Sequence, residues 1–345
     1  MAPRSASVVT SGLGSVAPED PRWRAFAQAN AASPMQQPTW LDALTRAYRL
    51  RARVLVLRDG DIVAALPIIR SKLRWRPKWT SLPFTDTLEP LAVSRDYRDQ
   101  LLTAVAQERD IQPVLIRAGT RLPGWFSRQV GTTHVLDLTN GADHVLCSAS
   151  SHHQRSVKRA RRRDARLTAR PVTSRDEFLG ANLALVARSR RRLGAPTQPL
   201  GYWSELWKLH DRGEALTIGV YLGDALVASG VFVIGSGHAV LKHAASDLAT
   251  RHLRTNHLMF MSAFEQLAAR GLRSMDFGIT DLHNGGLRSF KARWGGEERP
   301  AYFSATVARL LPDTLEPGRL VTRTIRCAPV FVGRAVGSVA YQFVA

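Results

Sequence analysis

Two apolar, strand-like runs turn back on themselves at Gly and Asp. The first runs from Arg53 to Leu57 and from Ile62 to Ile69 about Asp59-Gly60-Asp61; the second runs from Leu216 to Leu222 and from Leu226 to Ile234 about Gly223-Asp224. Short strand-like runs joined by such a turn specify a β-hairpin. The stronger constraint is that each hairpin sits in the same order of elements. The first is preceded by a helical pattern opened by Pro38-Thr39-Trp40-Leu41, with Trp40, Leu41, Leu44 and Tyr48 recurring at helical spacing. It is followed by a helix near Tyr97 to Gln107 and strands at Pro113 to Arg117 and Thr133 to Leu138. The second is preceded by a strand at Leu167 to Val172, a long helix from Arg175 to Leu193 and another after Tyr202. After it come a strand at Val240 to Ala244, a helix from Thr255 to Arg270 and a strand from Ser274 to Ile279. No residue-level repeat accompanies this order, so what it predicts is two tandem α/β units with mixed sheets.

A chain of 345 residues accommodates that duplication as two medium units. The expected division is a flexible leader over 1–20, one unit over 21–150, a second over 151–318 that begins with a basic helix, and an amphipathic helical tail over 319–345. Met1 to Pro18 lacks the charged start and apolar core of a signal peptide. The most apolar stretch, Cys327 to Val344, is interrupted by Arg334 and Gln342 and is too short to span a bilayer. Cys147 and Cys327 alone cannot make a disulfide framework or a four-cysteine zinc site. A cytoplasmic protein is expected, with Arg319, Arg323, Arg326 and Arg334 able to bring the tail against an anionic inner membrane face.

The formal net charge is +20, and its distribution is uneven. Residues 151–192 hold 13 Lys and Arg against 3 Asp and Glu, half the excess in an eighth of the chain. General arginine enrichment accounts for the diffuse remainder better than for this block. A field so concentrated attracts polyanions, and Arg155, Lys158, Arg159 and Arg162 are the expected RNA contacts.

Several short words fall in a definite order: Ser81-Leu82-Pro83-Phe84-Thr85-Asp86, the basic Arg155 to Arg163 run, and Arg188-Ser189-Arg190-Arg191-Arg192-Leu193-Gly194 with Pro196. They continue with Ala245-Ser246-Asp247, Asn256-His257-Leu258, Arg270-Gly271-Leu272, Met275-Asp276-Phe277-Gly278, and Gly286-Leu287-Arg288-Ser289-Phe290-Lys291-Ala292-Arg293-Trp294-Gly295. In order and spacing these resemble the FemAB-like acyltransferases of the GNAT superfamily over roughly residues 35 to 310. That family includes the aminoacyltransferases of peptidoglycan bridges. The resemblance implies tandem GNAT-like domains of the acyl-CoA N-acyltransferase fold. It implies transfer of an aminoacyl group from tRNA to an amine of a cell-wall precursor or secondary metabolite, with no bound cofactor. Lys291 and Asp276 would be catalytic, and Asp86, Arg188, Arg192, Lys242, Ser246, Asp247, Asn256, Arg288 and Trp294 would contact substrate.

The residues themselves permit plainer readings. Asp276, alternating with Met275, Phe277 and Ile279 along a strand, needs either a partner or a solvated cleft. Lys291 neighbours an apolar stripe of Leu287, Phe290 and Trp294; it is either a solvated helix lysine or a point charge for a phosphate or oxyanion. Ser246 and Asp247 also suit a turn or N-cap, Asn256 a helix cap, and Trp75 and Trp79 a core or lid. Attack of an amine on an activated ester needs positioning, deprotonation and oxyanion stabilisation, with little covalent catalysis. No Ser-His-Asp context is visible, and Asp276-Phe277-Gly278 lacks the other words of a kinase. His152-His153, His252 and His257 read as surface or capping residues, so no metal site is expected. GNAT enzymes that use coenzyme A hold its pyrophosphate on a Gln/Arg-x-x-Gly-x-Gly/Ala turn; here that stretch is Arg251 to Asn256, with larger side chains at both glycine positions. Acyl-CoA is therefore the alternative donor. A non-catalytic RNA-binding protein is the alternative of another class.

Overall fold

The computed structural model describes residues 12–71, 78–162, 166–312 and 319–343. Among the described residues fourteen strands form one sheet: β1 (Gly14–Val16), β2 (Ala52–Asp59), β3 (Asp61–Arg70), β4 (Trp79–Ser81), β5 (Leu91–Ala92), β6 (Val114–Ala118), β7 (Phe126–Asp137), β8 (Leu167–Pro171), β9 (Ala215–Leu222), β10 (Ala225–Gly235), β11 (His238–Ser246), β12 (Ser274–Asp276), β13 (Thr280–Asp281) and β14 (Glu297–Ala305). Both expected hairpins form, β2 with β3 about Gly60 and β9 with β10 about Gly223, each glycine at positive φ.

The strand order is β1-β2-β3-β4-β6-β14-β7-β12-β11-β10-β9-β8, with β5 on β3 and β13 on β7. Read from either edge, an antiparallel run leads to one parallel pair, β4 with β6 on one side and β11 with β12 on the other. Between them the two halves exchange strands. β14, late in the chain, pairs with β6, while β7, from the first half, pairs with β12; β14 and β7 lie side by side at the centre. A cut at residue 150 thus divides the chain but not the sheet.

Helices cover the sheet and join the halves. Pro38–Tyr48 buries Trp40, Leu41, Leu44 and Tyr48, the stripe read from the sequence. It shares a core with Tyr202 and Trp203 of Leu200–Asp211 and with Val231 and Val233 of β10. Each such side chain taken from water contributes roughly 1.5–3 kcal/mol, so this seam fixes one half against the other. A second core under Thr255–Ala269 gathers Phe260, Phe264, Phe277 and Trp294.

Several local expectations are corrected. Within the stretch expected as leader, Gly14–Val16 is an edge strand on β2 and Asp20 caps the helix Pro21–Asn30; residues 1–11 lie outside the described residues. The stretch 143–164, which reads from the sequence as one connecting helix, is two helices, Gly141–Ser148 and Ser151–Ala160, because the Ser150 side chain accepts from His153 N and restarts the helix. Trp75 lies outside the described residues, whereas Trp79 is buried in β4 beneath Arg53. The tail forms helices Arg319–Cys327 and Val330–Phe343. Tyr341 Oη donates to Pro196 O at 2.9 Å and accepts from Arg190 Nη2 at 2.8 Å, which docks the tail on Leu183–Leu193. No helix among the described residues is long and apolar enough to cross a membrane.

Candidate active site

Parallel pairing of β11 with β12 lasts only from His238↔Ser274 to Val240↔Asp276. Gly278, at φ 71°, then turns the chain away, and β12 ends at Asp276 instead of running to Ile279. β11 continues to Ser246, so the two strands diverge. On its other side β11 carries a bulge: Val231 pairs with His243 and Phe232 with Leu241, leaving Lys242 as the extra residue. A cavity of about 480 Å³ fills the divergence, lined by Leu241, Lys242 and Ala244 to Ser246 of β11, by Phe277, Gly278 and Ile279, and by Leu287, Phe290 and Lys291 of helix Gly285–Ala292.

Charges from both halves meet there. Asp86 arrives on the loop after β4, which is held from behind by Arg117: its Nη1 donates to Leu82 O at 2.8 Å and to Ser81 O at 3.2 Å. Trp40 Nε1 donates to Thr85 Oγ1 at 2.8 Å and fixes the same loop. Asp86 Oδ2 lies 3.7 Å from Lys242 Nζ. Burial depresses the Lys242 ammonium, with Asp86 opposing that shift. Lys291 is buried and donates from Nζ to Gly278 O at 2.6 Å. Burial brings its pKa down to about 8, against the pull of Asp86 and Asp276. Burial likewise lowers Arg117 to about 10. Among the described residues lining the cavity, Asp86 is the only carboxylate, set against Lys242, Lys291 and Arg192. Such a pocket attracts an anion or a carbonyl that is becoming one.

The expected site residues divide. Asp86, Arg192, Lys242, Ser246, Asn256 and Lys291 line the cavity. Arg192 stands at its rim, donating to Ser246 O at 3.3 Å and to Ser189 Oγ at 3.2 Å. Asp276 does not line it. Its carboxylate accepts from Thr133 Oγ1 of β7 and, at 2.7 Å, from Gly278 N, so it shapes the turn that opens the cavity. Burial raises its pKa, with the Thr133 bond opposing. Asp247 accepts from Ala249 N at 2.9 Å as a cap, and Arg288 pairs with Glu298 at 2.6 Å outside the cavity. Arg188 is exposed and does not reach it. Trp294 is a core residue, fully buried against Phe264 and Phe290, because the helix ends at Ala292 and its ring turns inward.

Arg155, Lys158, Arg159 and Arg162 are all exposed on or beside helix Ser151–Ala160. Arg159 lines an open depression of about 460 Å³ with Leu248, Arg251, His252 and Arg254. Arg254 stands at the first glycine position of the coenzyme A turn and keeps a glycine-like backbone, φ 64°, ψ 35°. Sequence reading missed Arg117, whose only signal is a cation ending the apolar run Val114-Leu115-Ile116. It also missed Thr133, which no local pattern marks.

His152, His153 and His257 are corrected as well. His153 and His257 are buried, and the three side chains come together. Burial drives His153 down to about 4 and His257 to about 3.

Comparison with known proteins places this geometry. Residues 151–292 match the acetyltransferase (GNAT) domain family. The chain is similar in structure to FemX (TM-score 0.66, 15% identity, covering 85% of this chain and 96% of that one). It is also similar to the C-terminal domain of a lysylphosphatidylglycerol synthetase candidate from Agrobacterium fabrum (0.57, 13%, 91% and 95%). A tandem GNAT protein from the clavulanic acid biosynthesis pathway has the same fold (0.53, 13%, 86% and 98%). A search of curated protein sequences gives no match. Residues 151–292 thus form a GNAT acetyltransferase domain. The fold of the whole chain is the one shared by FemX and the tandem GNAT protein.

Proposed function

We propose that the protein transfers an aminoacyl group from aminoacyl-tRNA to an amine of a cell-wall precursor or secondary metabolite, with the β11–β12 cavity as its active site. The observation that carries this reading is the depression shared by Arg159 and Arg254. It joins the basic helix to the segment Leu248–Asn256, whose far end borders the cavity through Asn256. A polyphosphate-backed donor lying on Arg155, Lys158, Arg159 and Arg162 could there direct its ester end toward Lys291. Lys291 would stabilise the oxyanion as the amine attacks the ester carbonyl. Asp86, the carboxylate facing it, would hold the acceptor ammonium and take its proton as the new amide bond forms. The ester C–O bond then breaks, and the 3′ oxygen of the tRNA leaves as a hydroxyl carrying the second proton lost by the nitrogen.

Acyl-CoA is the second reading, and Arg254 favours it: the left-handed backbone of the pyrophosphate turn persists although its glycine does not. The acceptor would then be a polysaccharide or lipid intermediate. Val321 and Phe331, exposed on the tail helices, are the apolar residues that contact with an anionic membrane would use. Labelled aminoacyl-tRNA and labelled acyl-CoA, each offered with candidate amines, separate the donors. RNase-sensitive transfer supports the first, and RNase-insensitive transfer with thioester consumption replaces it by the second.

A further inference from the structure

His152 and His153 open the helix Ser151–Ala160, and His257 stands in the first turn of Thr255–Ala269. Far apart in sequence, each brings one ring nitrogen into a group whose atoms lie within 4.8 Å of one another. Ring centroids are 4.7 Å apart for His153 and His257, 5.9 Å for His152 and His153, and 6.1 Å for His152 and His257. His153 Nε2 lies 3.0 Å from Phe290 O. A carbonyl only accepts, so Nε2 carries the hydrogen and Nδ1 keeps its lone pair. That Nδ1 is buried with no hydrogen-bond partner, and so is His257 Nε2. Two orphaned ring nitrogens side by side are uncommon in a folded interior. A backbone carbonyl orienting one ring so that its other nitrogen is presented is the arrangement usual behind a metal-bound histidine.

We infer that His152, His153 and His257 bind a divalent transition-metal ion of the zinc class. Three imidazole donors suit zinc, cobalt or nickel, whereas magnesium and calcium require oxygen ligands. Bond lengths of 2.0–2.1 Å set the nitrogens of a tetrahedral site about 3.3 Å apart. The ring nitrogens, within 4.8 Å of one another, would have to draw together on the ion, and His152 is the exposed member of the three. The ion would tie the basic helix to Thr255–Ala269. Through the Phe290 carbonyl it would also brace the helix that presents Lys291. None of the three histidines lines the cavity, so the inference is independent of donor and acceptor.

The test uses the full-length chain without a histidine tag, stripped with chelator, dialysed and titrated with zinc by calorimetry and with cobalt by visible absorption. The expected result is one ion per chain with a Kd below about 1 µM, the strong d–d bands of low-coordinate cobalt, and a raised melting temperature with zinc. His152→Ala, at an exposed position, should weaken binding by about tenfold or more, and His152→Ala with His257→Gln by about a hundredfold. No saturable zinc binding overturns the inference. So does undiminished affinity in His152→Ala, which alone decides the matter if His257→Gln does not fold.

Discussion

Replacing Lys291 by methionine removes the ammonium and keeps most of the stem, which separates what the charge does for chemistry from what it costs the fold. The fall in pKa from 10.5 to about 8 corresponds to roughly 3 kcal/mol against the charged form in the folded chain. Removing the ammonium abolishes that penalty but leaves Gly278 O without its 2.6 Å donor, a loss of about 1–3 kcal/mol. At pH 7 the Lys291→Met variant should therefore be as stable as the wild type, or more stable by up to about 2 kcal/mol. Because the folded pKa is the lower one, the unfolded chain binds more protons between about pH 8 and 10.5. Wild-type stability should rise through that window and the variant's should not, so the gap moves in favour of the wild type. Urea unfolding at pH 7, 8.5 and 10 measures this without a substrate. In the transfer assay the same variant should lose about 10²–10³ in rate, the usual effect of deleting one oxyanion donor. A variant several kcal/mol less stable at pH 7, with the wild-type pH slope intact, would refute the account of Lys291 as a buried, strained cation. Undiminished transfer would refute its catalytic role.

Asp86→Asn should destabilise by about 3 kcal/mol, since buried Lys242 loses its carboxylate; Lys242→Met in the same chain should restore the melting temperature. The single variant should also slow transfer about a hundredfold as the general base is lost. Gly278→Ala should cost about 1–3 kcal/mol in chemical denaturation. Its backbone is left-handed, and an added Cβ would lie 3.0 Å from Asp86 Oδ2 and 3.1 Å from Leu241 O. Changing Arg155, Lys158, Arg159 and Arg162 together to alanine should lower the slope of log K against log salt for tRNA binding by about 3. Fluorescence anisotropy reads this directly, and an unchanged slope would place the RNA elsewhere.

The hairpins were legible because short apolar runs and a Gly/Asp turn are local physics, as in Val54 to Leu57, buried throughout, ahead of Asp59-Gly60-Asp61. Lys291, Lys242 and Asp86 were legible only as parts of a family pattern, since nothing within ten residues of Asp86 says that it will meet a lysine on β11. Where the reading failed, a distant partner or a single backbone angle overrode the local signal. β7 begins seven residues before the expected Thr133, its polar opening Phe126-Ser127-Arg128 paired with β14 from the far end of the chain. β14 itself was not anticipated, for its start, Glu297-Glu298-Arg299-Pro300, is exposed and reads as loop. Asp276 was expected mid-strand because alternation continues to Ile279, but one positive φ at Gly278 ended the strand and turned its carboxylate toward Thr133. The histidines carried no local pattern because their proximity is created by packing between two helices.

The exchange of β7 and β14 leaves neither half of the chain with a finished sheet. Expressed separately, residues 1–150 would present β6 without its neighbour and residues 151–345 would present β12 without its own, two unsatisfied ladders aimed at each other. Such fragments should be poorly behaved alone and reconstitute when mixed, each serving as the other's folding template. By the same logic the intact enzyme cannot admit its substrates by swinging two lobes apart, since opening along that line would tear backbone pairing at the centre of the sheet.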